Sequence, residues 1–182
     1  MFRYFICGNK NLFKVKRIFV LIFTISIVYA CQSPKEKTIE QITKLENSDS
    51  AFSITQISDL YLKYVSFVEK YPDDERAPEF LFKAAQRTSI LNKAKEGIGY
   101  FEKLIKTYPN SKFCEQALFS IAFSYENNLN DFEQARVYYN QFLQKYPNSD
   151  LTEDAKLSIE NLGKTDEEFL ESINKDSILE EN

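Results

Sequence analysis

Three copies of one turn, at nearly constant spacing, limit what this chain can fold into. Tyr-Pro-Asn-Ser stands at 108–111 and again at 146–149, and Tyr-Pro-Asp-Asp stands at 71–74. A fixed period of 37–38 residues is the mark of a repeat architecture, in which one supersecondary unit is stacked on the next. Proline cannot continue a helix, because it lacks the N–H and its ring clashes with the preceding turn. Asn, Asp and Ser then favour the turn that follows. Each copy therefore reads as the end of one helix and the entry to another.

Aligning on the prolines exposes further agreement. An aromatic stands eight residues before each one, at Tyr64, Phe101 and Tyr139, and four residues earlier come Leu60, Gly97 and Ala135. After each proline a new helix starts, in parallel runs at 77–88, 114–125 and 152–163. Seven residues beyond Pro78, Glu115 and Glu153, which stand six after each proline, lie Ala85, Ala122 and Glu160, two small residues and one exception. Apolar residues at helical steps support the same elements: Ile98, Phe101, Leu104 and Ile105 form one stripe. Leu129, Phe132, Ala135, Val137, Tyr139, Phe142, Leu143 and Tyr146 form another, with Asn130 or Asp131 as N-cap. Gly97 and Gly99 each cost a helix about 1 kcal/mol against Ala, and close packing is expected to compensate. The run 54–70 predicts a helix with Ile57, Leu60, Tyr61, Tyr64, Phe67 and Val68 inward, and 36–46 a short amphipathic helix before it. Gly163 reads as a C-cap, and Thr165 with Glu168 as a capping box opening a helix over 165–174. Strand signals are absent.

These positions resemble the tetratricopeptide repeat, a helix-turn-helix unit of about 34 residues. The resemblance covers about 55–163. It implies a small residue within helix A and another early in helix B where the two cross, an aromatic four residues later, and a proline ending helix B. Ala122, Ala135, Tyr139 and Pro147 satisfy all four demands, and so do Ala85, Gly97, Phe101 and Pro109. Tyr125 also occupies the family's aromatic place at the end of helix A, where the preceding repeat has Thr88. The expected fold is all-α, a helical-hairpin solenoid of about 3.5 repeats over 37–174. The C-terminal helix caps it, and 175–182 form a flexible tail.

The first thirty residues are different in kind. They hold five of the chain's 23 basic residues and none of its 27 acidic ones. A basic stretch, an apolar run from Ile18 and a small residue at Ala30 describe a signal peptide. The apolar run of 13 residues to Ala30 is short of the roughly 20 that a spanning helix needs. Val28-Tyr29-Ala30-Cys31 resembles the lipobox of bacterial lipoproteins. That resemblance implies cleavage after residue 30, lipid on Cys31 as the sole covalent attachment, a polar tether over 31–36, and a place in the bacterial cell envelope. By the same resemblance, Gln32 after the cysteine implies the outer membrane, facing the periplasm. Ordinary secretion with an incidental Cys is the alternative. Without residues 1–30 the chain carries 18 basic against 27 acidic residues, a surface with no general affinity for nucleic acid.

No enzyme site can be assembled. The chain has no His, which removes the commonest general base and metal ligand. It has no Gly-rich phosphate loop and no nucleophile elbow. Asp73-Asp74, Glu153-Asp154 and Glu167-Glu168 stand where they complement helix dipoles. Of the three cysteines, Cys114 alone falls within the repeats, in an apolar pattern suited to a small core residue. No cofactor or metal is expected.

Function then falls to surface. The repeat register implies that helix A residues line a partner-binding groove: Glu79, Phe82, Gln86 and Ser89, then Gln116, Phe119, Phe123 and Glu126, then Asp154, Leu157 and Asn161. Phe119 and Phe123, one turn apart, are candidate anchors, with packing against the neighbouring helix as the alternative for either. The expected activity is passive: a lipid-anchored scaffold binding envelope proteins, similar in kind to repeat lipoproteins of outer-membrane β-barrel assembly and the Tol-Pal-associated periplasmic protein. The rival is a module binding a lipid or glycan of the envelope. Self-association is not legible.

Overall fold

The computed structural model describes residues 33–47, 53–165 and 167–168. Its helices are α1 (Pro34–Glu46), α2 (Ile54–Lys70), α3 (Ala77–Ile90), α4 (Ala94–Thr107), α5 (Cys114–Asn127), α6 (Phe132–Lys145) and α7 (Thr152–Asn161). No strand occurs among the described residues, and none of their helices is long and apolar enough to cross a membrane. The expected signal peptide, Cys31 and the tail at 175–182 lie outside the described residues, as does most of 165–174. The chain divides into two compact units within α1, one ending at Gln41 and the other comprising Ile42–Asn182.

In the first unit, α1 starts at Pro34, two residues ahead of the expected 36. Ser33 and Glu36 form a reciprocal capping box, Ser33 N–H donating to Glu36 Oε2 at 2.9 Å and Glu36 N–H to Ser33 Oγ at 3.2 Å. Proline at the first helical position costs no hydrogen bond. The stretch 31–36 is thus helical from Pro34.

In the second unit each helix from α2 to α7 packs on its neighbour in sequence, giving a helical-hairpin solenoid. The hairpins α3/α4 and α5/α6 are complete, α2 precedes them and α7 begins the next. The A helices are therefore α3, α5 and α7, and the B helices α2, α4 and α6. Helix α2 has a Ser53–Gln56 capping box and buries the six residues of its expected inward face.

The three repeated turns are superimposable in conformation. Tyr71, Tyr108 and Tyr146 end their helices at φ/ψ of −133/58, −125/59 and −130/59°. Two successive turns follow in every copy: Asp74, Ser111 and Ser149 N–H donate to the Tyr carbonyl, and Ala77, Cys114 and Thr152 N–H donate to residue 74, 111 or 149. The fourth motif residue closes the joint. Asp74 Oδ1, Ser111 Oγ and Ser149 Oγ each accept from the backbone N–H two residues on, at 3.1–3.2 Å. Asp and Ser are interchangeable there because both offer an oxygen on a short stem.

Within each hairpin the helices cross on small residues. A Cβ on Gly97 would lie 2.0 Å from Thr88 Oγ1 and 3.1 Å from the Ala85 carbonyl oxygen, so α3 and α4 approach as closely as glycine allows. Ala122 and Ala135 are fully buried at the equivalent crossing of α5 and α6. Gly99 has no such role: nothing lies within 4 Å of a Cβ built there, and the packing expected to compensate for it is absent. The stripe on α6 also needs correction. Ala135, Tyr139 and Phe142 are buried, but Val137 is 46% and Phe132 38% exposed, since residue 137 follows Ala135 by two and so points to the opposite side of the helix.

Candidate functional site

The A helices lie side by side. Phe82 on α3 stacks on Phe113, just ahead of α5, with centroids 5.3 Å apart. The Asn128 side-chain amide donates to Ser89 Oγ at 2.9 Å, joining the ends of α5 and α3. Leu118 and Ala122 of α5 share a buried cluster with Ala155 of α7. Other hydrogen bonds span one repeat as well, Tyr108 to the Pro72 carbonyl (2.8 Å), Tyr138 to Glu102 (2.7 Å) and Ser149 to Glu115. None of these partners was readable from sequence, because each depends on the residue a full period away.

The residues expected in the groove fall at different depths. Phe82 is only 6% exposed, covered by Phe113 and by Phe101 at 5.6 Å, and so is closed to a partner. Phe119 is half-buried, edge-on to Tyr139 and Phe142 at 5.5 Å each. Phe123, one turn on, is 49% exposed, and Leu157 on α7 is 55% exposed. Gln86, Ser89, Gln116 and Asp154 are exposed, while Glu79, Glu126 and Asn161 are half-buried. Of the two candidate anchors, Phe119 belongs to the packing and Phe123 to the surface.

Several polar members of this face are already engaged. Glu126 accepts the Tyr139 hydroxyl at 2.6 Å, and Asn161 donates to the Leu157 carbonyl at 2.8 Å. Burial, then this bond to Glu126, raises the Tyr139 hydroxyl well above its ordinary value. On α3, Lys83 pairs with Glu79 at 2.7 Å and with Glu46 of α1 at 2.8 Å, and Tyr64 donates to Glu46 at 2.6 Å. Burial pushes the Glu46 carboxyl up, but the hydrogen bonds from Lys83 and Tyr64 and the charges of Lys83 and Arg87 outweigh it and hold the group below its usual range. The Arg87 guanidinium lies over the Tyr64 ring, 5.0 Å from its centroid, a favourable cation–π distance. Gln86 and Arg87 border a recess of about 250 Å³ with Ile57 and Ile90.

Cys114 is buried, and its thiol donates to the Tyr108 carbonyl at 3.1 Å. Burial pushes its pKa up, the setting of an inert packed thiol rather than a nucleophile. Two open cavities of about 530 and 670 Å³ adjoin the loops that join helix A to helix B, sharing Lys95, Asn128 and Leu129. In those loops Asn92 and Asn130 take positive φ, 57° and 52°, a region that asparagine tolerates better than most residues. The two stand at the same place in successive repeats. The sequence carried that signal, but the expected roles there stopped at an N-cap, which Asp131 fills by accepting from Gln134 N–H at 3.1 Å.

No curated protein matches the chain significantly. Two segments, 80–111 and 116–149, match the family described as tetratricopeptide repeat. They coincide with the hairpins α3/α4 and α5/α6 together with the turns that close them. The superimposable joints, the small-residue crossings and these two matches make this a chain containing tetratricopeptide repeats.

Proposed function

We propose that this chain is a membrane-anchored scaffold that recruits a protein partner in the bacterial envelope, in the service of outer-membrane protein assembly or envelope maintenance. Two features motivate the reading. Tetratricopeptide repeats are protein-interaction modules, and the side-by-side A helices here leave Phe123 and Leu157 outside the core. Large apolar side chains standing free on a regular surface are what an interface buries. The exposed Phe123 is the observation that carries the proposal.

The anchor in this reading is lipid on Cys31 after removal of residues 1–30. Stable attachment needs more than one acyl chain, at about 0.8 kcal/mol per buried CH₂. Only Gln32 and Ser33 then separate the lipidated residue from α1. The scaffold works by holding its partner near the membrane, with no covalent chemistry and no cofactor beyond the lipid.

Two experiments test it. Metabolic labelling with a clickable fatty acid should mark the wild-type protein and not Cys31→Ser; label persisting in that variant refutes the anchor. Affinity purification from crosslinked envelopes should recover a protein that Phe123→Ser loses. Recovery indifferent to Phe123→Ser refutes the assigned face.

A further inference from the structure

The charges around Phe123 and Leu157 describe what would cover them. Helix α5 carries Glu115 and Glu126 and no basic residue. Helix α7 carries Glu153, Asp154 and Glu160 against Lys156, which is committed to Glu153 at 2.7 Å. On a helix surface the neighbours of residue i stand at i±3 and i±4. For Leu157 these are Glu153, Asp154, Glu160 and Asn161. For Phe123 they are Phe119, Ser120, Glu126 and Asn127. Glu115 and Glu126 accept hydrogen bonds from the neutral hydroxyls of Ser149 and Tyr139, which fix the two carboxylates in place without cancelling their charge. Helix α3 differs, with Lys83 and Arg87 against Glu79 alone. Phe123 and Leu157 thus sit in the acidic part of the A-helix face, whereas the exposed Ile90 ends α3 beside the Gln86–Arg87 recess.

We infer that the α5–α7 part of this face binds a cationic amphipathic segment of a partner protein, its apolar side covering Phe123 and Leu157 and its Lys or Arg residues facing the carboxylates around them. This rests on the reading of the A-helix face as the binding face. An anionic or neutral helix would leave Glu126, Asp154 and Glu160 desolvated without counter-charge, a cost that falls on the wrong partner. The acidic rim would also steer a basic segment at encounter, an effect that weakens with salt.

The test is fluorescence anisotropy on the full chain in nanodiscs of neutral lipid. The probe is a labelled amphipathic peptide of about five helical turns, roughly 18 residues, with Leu on one side and Lys on the other. The control has the same Leu side and Glu in place of Lys. The Lys peptide should bind, lose affinity as salt rises from about 0.05 M to about 0.5 M, and bind about tenfold more weakly to Phe123→Ser and to Leu157→Ser. Asp154→Lys should weaken it too. All three positions are exposed, and unchanged far-UV circular dichroism checks that each variant is folded.

Binding of neither peptide overturns the inference. Preference for the Glu peptide, abolished by Phe123→Ser, keeps the face and overturns its charge assignment. Lys-peptide binding that ignores all three variants refutes the face itself. Self-association of the chain that Phe123→Ser abolishes makes a second copy the occupant and likewise overturns the inference.

Discussion

Two glycines two positions apart in α4's first half should respond oppositely to the same substitution. Replacing either Gly97 or Gly99 by Ala removes the helical penalty of glycine, about 1 kcal/mol. At Gly99 the new methyl meets nothing within 4 Å, so Gly99→Ala should stabilise the protein by about 1 kcal/mol. At Gly97 the methyl would arrive 2.0 Å from Thr88 Oγ1 and 3.1 Å from the Ala85 carbonyl oxygen. Thr88 is 2% exposed, and its hydroxyl donates to that same carbonyl at 2.6 Å. Either α3 and α4 separate, an overpacking cost of about 1–3 kcal/mol, or Thr88 turns away and leaves a buried hydroxyl unpaired, at about 1–3 kcal/mol. Set against the propensity gain of about 1 kcal/mol, Gly97→Ala should destabilise by about 1 kcal/mol, leaving the two variants about 2 kcal/mol apart. Urea unfolding followed by far-UV circular dichroism reads this as midpoint shifts of opposite sign at unchanged slope. Thr88→Ala combined with Gly97→Ala should recover much of the loss, a non-additivity expected of residues in contact. A Gly97→Ala protein stabilised as much as Gly99→Ala would show that the helices do not cross where the structure places them.

Three further outcomes follow from individual contacts. The lowered Glu46 pKa means that its contribution to stability is present above the unfolded value, 4.5, and is lost as pH falls through the lower folded value. Glu46→Gln should therefore flatten the loss of stability on acidification below that pH while costing less than about 1 kcal/mol near neutrality, since the pair is partly solvated. Tyr138 is pushed up to about 12 by burial and then by its hydrogen bond to Glu102. Stability that depends on the neutral phenol is thus complete below pH 10 and lost as pH rises toward 12, and ultraviolet titration of Glu102→Gln should show a phenol ionising earlier. Tyr108→Phe removes the hydroxyl that reaches the Pro72 carbonyl and should cost about 1 kcal/mol in urea unfolding. Tyr146→Phe, in the equivalent turn, should stay within about 0.5 kcal/mol.

What the sequence made legible was whatever a short window encodes. The inward face of α2 came out residue for residue because a single 3.6-residue stripe specifies it. The turns and the crossing at Gly97 came out because the period aligned three independent copies. Depth on the A-helix face did not, and the reason is visible in one position seen three times. Phe82, Phe119 and Leu157 share a place in the repeat, yet Phe82 is buried, Phe119 half-buried and Leu157 exposed. Phe82 is covered by Phe113 and Phe101, and Phe119 by Tyr139 and Phe142. Register assigns a direction along the helix, whereas burial is decided by what the next helix brings. Val137 erred for a simpler reason, being counted into a stripe whose phase it does not share.

The uniformity of the Tyr-Pro joints bears on how such a chain can change length. Each joint makes its capping bonds from its own backbone and its own fourth residue, and the bonds that Tyr108, Asn128 and Tyr138 make to a neighbour span a single period. Nothing at a joint refers to how many units stand on either side. A duplicated block of 38 residues, cut at corresponding points of two joints, would therefore arrive with both ends already fitted to their sockets. Length is then a free variable of this design, while the chemistry of each A-helix face can drift unit by unit without disturbing the joints.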